Sequence, residues 1–281
     1  MKTRLMGPTG IPVSVIGQGT WYLEQSDRRE AIQAVRRSLE LGMTHLDTAE
    51  MYGSGEVERM VGEAIVGHRA EVFLASKVLP EHASYKGTLR ACEASLKRLR
   101  TEYLNLYLLH WAGQHPLAET IRAFEQLVSD GKVRAYGVSN FDPGEIEEAV
   151  SIAGPEKIAC NQVLYHLRQR AIEHGVIPAC EKHGIAVVAY SPFESGRFPS
   201  RNTPGGKVLA KIAVSHRATP HQVALAFLTK RQNIFTIPKA SQVRHVEENA
   251  EAADLELSKK DIHNLEHAFP LGSRPRGLPT I

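Results

Sequence analysis

Four side chains that can hold or move a proton follow successive apolar runs of the sequence. They are Asp47, Tyr52, Lys77 and His110. A phenol has a pKa of about 10, and a neighbouring ammonium lowers it by stabilising the phenolate. A carboxylate keeps a buried ammonium charged, and an imidazole can orient a carbonyl oxygen or assist proton transfer. Together these residue types predict a proton donor to a carbonyl oxygen.

Taken singly, each of these residues also has an ordinary structural explanation. An aspartate after a strand often caps a helix, a lysine can extend its stem along the surface, and a histidine can be a satisfied core residue. No nucleophile or metal-binding spacing accompanies the four, so we expect no metal site. The functional interpretation depends on whether the fold brings the four residues together.

Short apolar runs alternate with amphipathic patterns along the chain, which predicts strands alternating with helices. The predicted strands are the one ending at Gly17 to Trp21, then 43–46, 72–75, 103–109, 133–138, 157–160, 185–189 and 234–237. The main predicted helices begin after Asp27, near residue 56 and near Ile121, and cover 84–100, 172–183, 219–228 and 258–269. Asp27 with Glu30, and Ser258 with Asp261, predict capping boxes.

This alternation predicts a single (β/α)8 barrel domain over residues 1–281, with an N-terminal β-hairpin and extra C-terminal helices. The hairpin is expected from residues 3–5 and 13–16. Residues 193–206 are expected to form a mobile loop and residues 270–281 an irregular tail. A doubly wound sheet is the alternative, but residues 17–22 lack the third glycine of a dinucleotide-binding turn. In a barrel the carboxyl ends of all strands meet at one mouth, which would gather the four residues.

Composition excludes several other classes of protein. The chain has 281 residues, 42% hydrophobic, with a formal net charge of +3 and no polybasic, aromatic-rich stretch that would favour nucleic acid. No apolar run is long enough to cross a membrane. Cys92, Cys160 and Cys180 are widely spaced without a Cys-x-x-Cys motif, which suits a reducing compartment. We therefore expect a cytoplasmic protein.

Seven short motifs, in their order along the chain, resemble those of the aldo-keto reductases. They are LDTAEMYG (46–53), SK (76–77), LHW (109–111), GVSN (137–140), NQ (161–162), AYSP (189–192) and IPK (237–239). The resemblance covers nearly the whole chain and is greatest to a bacterial branch that includes methylglyoxal reductases. It implies a (β/α)8 barrel with NADP(H) across its mouth. It also implies Tyr52 as general acid, Lys77 and Asp47 as its tuning pair, and His110 as the residue that orients the carbonyl.

The resemblance also implies which residues bind the cofactor. They are Gly19, Thr20, Trp21, Asp47, Ser139, Asn140, Gln162, Tyr190, Ser191, Pro192, Lys239, Ser241, Arg244, His245, Glu248 and Asn249. One departs from the family pattern, because His245 stands where an arginine usually pairs with the 2′-phosphate, and Arg244 precedes it. We therefore expect NADP(H), with NAD(H) used at lower efficiency.

The implied activity is the reduction of small aldehydes, 2-oxoaldehydes or ketones to alcohols by direct hydride transfer. The expected substrate pocket comprises Trp21, Met51, Tyr52, His110 and Trp111. A small carbonyl compound is the expected partner, and the protein is expected to be a monomer that binds neither nucleic acid nor membrane. The alternative is an NADP(H)-binding redox-sensing or regulatory subunit with negligible turnover. A metal-dependent barrel hydrolase would need ligand spacing that the sequence does not offer.

Overall fold

The computed structural model describes residues 1–281 and contains a closed eight-stranded parallel sheet. A hairpin of β1 (Thr3–Leu5) and β2 (Pro12–Ser14) precedes it. The barrel strands are β3 (Gln18–Gly19), β4 (His45–Asp47), β5 (Phe73–Val78), β6 (Leu104–Leu109), β7 (Val133–Ser139), β8 (Ile158–Leu164), β9 (Ala186–Tyr190) and β10 (Ile234–Thr236). Neighbouring strands follow chain order from β3 to β10. Parallel bridges from Ile16 to Thr236 and from Gly19 to Lys239 close the ring.

Ten α-helices follow the strands or extend the C-terminal part of the chain. They are α1 (Arg28–Glu40), α2 (Glu56–Ala64), α3 (Tyr85–Leu99), α4 (Leu117–Ser129), α5 (Pro143–Ala153), α6 (Val176–Lys182), α7 (Pro204–Ser215), α8 (Pro220–Leu228), α9 (Val243–Glu251) and α10 (Lys259–Ala268). The capping box of Ser258 and Asp261 is confirmed. At α1 only half of the predicted box is present, since Asp27 accepts from the Glu30 amide but the Glu30 side chain does not bond to the Asp27 amide. The barrel with its hairpin and additional helices matches the predicted fold.

The interior of the barrel is apolar at one end and polar at the other. The side chains of Phe73 and Ala75 belong to a buried interior cluster that also includes Met6 and Val13 of the hairpin region. Because side chains on a strand alternate between its two faces, Lys77 is the next β5 residue on the interior face. The hairpin therefore closes the amino-terminal end, and the charged groups lie at the carboxyl end.

Three predicted segments differ from the structure, and helix α9 has no predicted counterpart. Strand β8 continues to Leu164, whereas the pattern ended at residue 160. The helix predicted over 172–183 is divided at Gly175 into a 3-10 helix, Ala171–His174, and α6. The loop predicted over 193–206 contains a 3-10 helix, Glu194–Gly196, and its last residues begin α7. Residues 270–281 contain no helix or strand, as predicted.

No helix has the length and apolar character needed to cross a lipid bilayer.

Candidate active site

Asp47, Lys77 and Tyr52 form a connected, buried group at the carboxyl end of the barrel. Lys77 Nζ lies 2.6 Å from Asp47 Oδ1, 2.8 Å from the Thr48 carbonyl oxygen and 3.2 Å from the Tyr52 hydroxyl. The lysine is fully buried and the aspartate is 1% exposed. The ammonium thus donates to a carboxylate, a carbonyl and the phenol oxygen, which satisfies its three donors.

Strands β4 and β5 position the ion pair, while an irregular loop positions the phenol. Tyr52 begins a 3-10 helix, Tyr52–Gly55, in which Gly53, Ser54 and Gly55 all have positive φ angles of 53°, 52° and 87°. Glycine accepts this left-handed conformation without a steric penalty, whereas Ser54 does not. The loop reverses direction tightly before α2 and leaves Tyr52 over the end of β5.

Burial dominates the electrostatics of Tyr52 and Lys77. Burial raises the pKa of Tyr52, and the Lys77 ammonium opposes that rise without cancelling it. Burial lowers the pKa of Lys77, but Asp47 and Tyr52 outweigh it, so the pKa of the lysine is raised. The sequence predicted that Lys77 lowers the pKa of Tyr52, and the ammonium does act in that direction. The predicted net decrease of the Tyr52 pKa is wrong, because the prediction omitted the larger effect of desolvation. At neutral pH the phenol is protonated and the lysine charged.

His110 faces Tyr52 as a neutral imidazole. Burial and the Lys77 charge lower the pKa of His110 to about 2. The centroids of the His110 and Tyr52 rings are 5.9 Å apart with the rings nearly perpendicular. His110 Nδ1 is buried and has no hydrogen-bond partner. A neutral ring that lines the cavity can donate one N–H to a carbonyl oxygen without adding charge.

A second polar group, from β7, β8 and β9, adjoins Asp47. Gln162 Nε2 donates to Asp47 Oδ2 at 2.7 Å, and Ser139 Oγ donates to the Gln162 carbonyl at 2.9 Å. The Tyr190 hydroxyl donates to Asn140 Oδ1 at 2.8 Å. These contacts join the predicted cofactor-binding residues to the proton-handling group in one network.

One cavity of about 610 Å³ contains most of the predicted site. The predicted residues that line it are Gly19, Thr20, Trp21, Asp47, Met51, Tyr52, His110, Trp111, Ser139, Asn140, Gln162, Tyr190, Ser191, Pro192 and Lys239. Lys77 lies beneath Tyr52 and reaches the cavity only through it. Residues from seven of the eight barrel strands or their following loops therefore line one mouth, and the eighth strand, β5, contributes Lys77 beneath it.

The family model described as "Aldo/keto reductase family" matches residues 15–269. The chain belongs to the aldo/keto reductase family. As a member of this family with named reductases among its relatives, it is an oxidoreductase.

This aldo/keto reductase is similar to curated bacterial enzymes along nearly its whole length. It is 42% identical to methylglyoxal reductase YeaE of Escherichia coli, over 96% of this chain and 95% of that protein. It is 35% identical to glyoxal reductase of Bacillus subtilis, over 92% of this chain and 89% of that protein. A solved aldo/keto reductase from Klebsiella pneumoniae, in complex with NADP and acetate, has a TM-score of 0.93 and 38% identity, with all of both chains covered.

Five predicted cofactor residues lie outside the cavity lining. Ser241 is next to it, since Lys239 Nζ donates to Ser241 Oγ at 3.2 Å. Arg244 Nη2 lies 3.2 Å from His245 Nε2 at the start of α9. Glu248 accepts from the Thr219 hydroxyl at the start of α8, and Asn249 is 3% exposed. Their roles toward a cofactor stay predictions.

The cavity is also lined by residues outside the predicted site set, although four of them belong to the predicted 193–206 loop and Ile237 belongs to the IPK motif. They are Tyr22, Phe193, Ser195, Gly196, Phe198, His221, Ile237 and Ile281. Phe198 and His221 stack with ring centroids 4.1 Å apart and an interplanar angle of 23°. His221 stands in the first turn of α8, in a stretch whose only sequence signal was the helix cap. The position of His221 depends on how α8 packs against the 193–206 segment. A local sequence pattern does not predict that packing.

Proposed function

We propose that this aldo/keto reductase reduces small aldehydes, 2-oxoaldehydes or ketones to alcohols with NADPH, and that Tyr52 donates the proton. The observation that carries the proposal is the buried contact from Asp47 through Lys77 to the Tyr52 hydroxyl, at 2.6 Å and 3.2 Å, with His110 facing the phenol. A protonated phenol beside an ammonium can donate its proton to a substrate carbonyl oxygen as that oxygen gains negative charge.

The cavity residues suit a nicotinamide cofactor. Ser139, Asn140 and Gln162 offer amide and hydroxyl groups that match the donor and acceptor of a carboxamide. Tyr190 offers an aromatic face, and Lys239 offers an ammonium whose neighbours are the hydroxyls of Ser26 and Ser241. Bound NADPH would supply the hydride. The NADP in the Klebsiella pneumoniae relative supports the same cofactor here.

The chain's own residues do the proton work. The Tyr52 hydroxyl donates its proton to the substrate oxygen as that oxygen gains charge, and Lys77 stabilises the phenolate that remains. Asp47 holds the ammonium in place through Oδ1, while its other oxygen is held by Gln162. His110 binds the substrate oxygen as a neutral ring, because its pKa of about 2 excludes the imidazolium.

Cofactor preference rests on the segment around Lys239. Arg244 lies beside His245, so its guanidinium can replace the arginine that the family usually has one residue later. We propose a preference for NADPH over NADH that is weaker than in relatives with that arginine. A 2′-phosphate would gain charge-assisted hydrogen bonds from an ammonium and a guanidinium.

The substrate end of the cavity favours compact molecules. Trp21, Met51 and Trp111 line it together with Tyr52 and His110. The relatives named for methylglyoxal and glyoxal reduction support two-carbon and three-carbon 2-oxoaldehydes as substrates. Every group used in the proposed reaction comes from one chain, so we also propose that the monomer is competent.

Steady-state oxidation of NADPH at 340 nm tests the proposal, with methylglyoxal, glyoxal and a bulky aromatic ketone as substrates. We expect turnover with the first two, alcohol products by mass spectrometry, and slower oxidation with NADH. Quenching of tryptophan fluorescence measures NADPH binding. A protein that binds NADPH but turns over none of these carbonyl compounds would instead favour the redox-sensing alternative.

A further inference from the structure

The loop that carries Tyr52 is tied to the end of β5 by a buried glutamate on each side. Before the tyrosine, Glu50 Oε1 accepts a hydrogen bond from the Leu79 amide at 2.7 Å. After it, Glu58 Oε1 accepts from Ser76 Oγ at 2.6 Å. The Glu50 side chain is 8% exposed and the Glu58 side chain is fully buried. The Glu58 attachment therefore lies inside the protein, whereas the Glu50 attachment is part-buried, since Glu50 Oε1 also lies 3.0 Å from Nδ1 of the exposed His82.

The two attachment points flank the lysine of the site. Ser76 directly precedes Lys77, and Leu79 lies two residues after Lys77, just past the end of β5. This end of β5 determines the position of the Lys77 ammonium. Since successive side chains of a strand face opposite sides, Lys77 points into the barrel while Ser76 points out toward α2. Glu58 thus contacts the strand of Lys77 from the outer side of the sheet, and Glu50 contacts the backbone just after its end.

Arg98 of α3 holds the second glutamate in place. Arg98 Nε donates to Glu58 Oε2 at 2.5 Å and Arg98 Nη2 donates to Ser95 Oγ at 3.1 Å. The arginine also packs against the turn, because a Cβ on Gly55 would lie 2.6 Å from Arg98 Cδ. Glu58 therefore links the turn, the lysine strand and helix α3.

Stability alone is a weak explanation for this arrangement. Replacing a buried ion pair by packed apolar side chains is often neutral or stabilising. The turn has three successive residues at positive φ, which a chain holds only when its surroundings determine it. The separation of 3.2 Å between the Tyr52 hydroxyl and Lys77 Nζ depends on that turn, whereas the 2.6 Å ion pair is set by adjacent strands.

We propose that Glu50 and Glu58 are positioning residues that set the distance between the Tyr52 hydroxyl and Lys77 Nζ, and with it the proton donation. This rests on the proposed function, in which Tyr52 is the acid. Neither glutamate lines the cavity. They act through the backbone of the turn and through Ser76.

The variant Ser76→Ala releases one attachment with the smallest change of volume. We expect kcat for aldehyde reduction to fall about 10-fold, which is part of the roughly 10²–10⁴-fold rate enhancement that a positioned acid contributes. The KM values for the aldehyde and for NADPH should be nearly unchanged. Adding Glu50→Ala should lower kcat further. Ser38→Ala is the matched control, because Ser38 is equally buried and donates to a carbonyl within α1, away from the site.

The pH profile separates positioning from general destabilisation. The charged and titratable groups around Tyr52 are Lys77 from β5, Asp47 from β4, His110 from β6 and Tyr190 from β9. Only Lys77 lowers the pKa of Tyr52, so a longer contact with it raises that pKa further. Oxidation of the alcohol needs the Tyr52 phenolate, so the oxidation rate increases with pH. In Ser76→Ala this increase should occur at higher pH than in the wild type.

NMR titration of ¹³C-labelled tyrosine, with the Tyr52 signal assigned by Tyr52→Phe, measures the same shift without turnover. We expect the Tyr52 titration to move to higher pH in Ser76→Ala and to stay in place in Ser38→Ala. An unchanged titration, or a fall in kcat equal to that of Ser38→Ala, would overturn the positioning role. Absence of turnover in the wild type would overturn the proposed function instead, and the titration would still decide the positioning role.

Discussion

Replacing Lys77 by methionine removes the ammonium while keeping an unbranched chain of similar length. The change deletes the three contacts of Nζ to Asp47, Thr48 and Tyr52. Asp47 would keep its bond from Gln162 Nε2 but would be a carboxylate at 1% exposure without a counter-charge. Tyr52 would lose the group that opposes the rise of its pKa on burial.

Two magnitudes follow from this geometry. Removing one partner of a buried ion pair costs about 3–5 kcal/mol in the free energy of unfolding, because the other charge is left unpaired. Losing the group that tunes a general acid should lower kcat by about 10²–10⁴-fold. The double variant Asp47→Asn/Lys77→Met should be less destabilised than the sum of the two single variants, since it removes both charges of the pair and leaves neither one unpaired.

Urea unfolding at pH 7 measures the first magnitude, and NADPH oxidation with methylglyoxal measures the second. Lys211→Met is the control, because Lys211 is exposed on α7 and should leave both quantities within experimental error. A Lys77→Met variant with wild-type unfolding free energy, or with more than a tenth of wild-type kcat, would refute the reasoning.

Further predictions concern cofactor choice and acid stability. Lys239→Ala should raise KM for NADPH with little effect on NADH, and His245→Arg should increase the kcat/KM ratio of NADPH to NADH; equal effects on both cofactors would contradict the phosphate assignment. Burial lowers the pKa of His110 to about 2 and of His45 to about 4, so the unfolded chain binds more protons below about pH 6.5. Stability should therefore fall as pH decreases from 6.5 to 4.5, by up to about 1.4 kcal/mol per pH unit for each histidine. His45→Leu should reduce that slope in urea titrations, and an unchanged slope would exclude His45 as a source.

Sequence patterns predicted the barrel and the central group because both depend on local signals. Apolar runs that end in functional residues located β4, β5 and β6, and the mouth of a barrel gathers such ends without further information. The cap at Ser258 was visible because side-chain capping acts over only three residues. The family motifs then gave the residue types their roles.

The elements that were missed depend on tertiary contacts. Helix α7 is capped by Thr203 and begins with Pro204 and two glycines, a composition that indicates a loop. Gly205 packs against the ring of Phe269, and Gly206 approaches the Ser200 carbonyl so closely that a Cβ would clash. Residues close in space but distant in sequence decide such a segment, and the Glu58–Ser76 contact is of the same kind.

Strand β8 shows the same limit at the site itself. Asn161 and Gln162 indicate a strand end by their polarity, yet both lie inside the strand. Asn161 bonds with the backbone of Phe141 on one side of the sheet, and Gln162 bonds Asp47 on the other. Buried amides are stable in a strand only where such partners exist, and the sequence alone does not show the partners.

The measurement that tests the central claim most directly is single-turnover reduction of methylglyoxal by Tyr52→Phe, alongside its affinity for NADPH. The account predicts an NADPH dissociation constant close to that of the wild type and a reduction rate lower by about 10²-fold or more, because the proton donor is absent while the cavity is intact. A Tyr52→Phe protein that reduces methylglyoxal at the wild-type rate would contradict it.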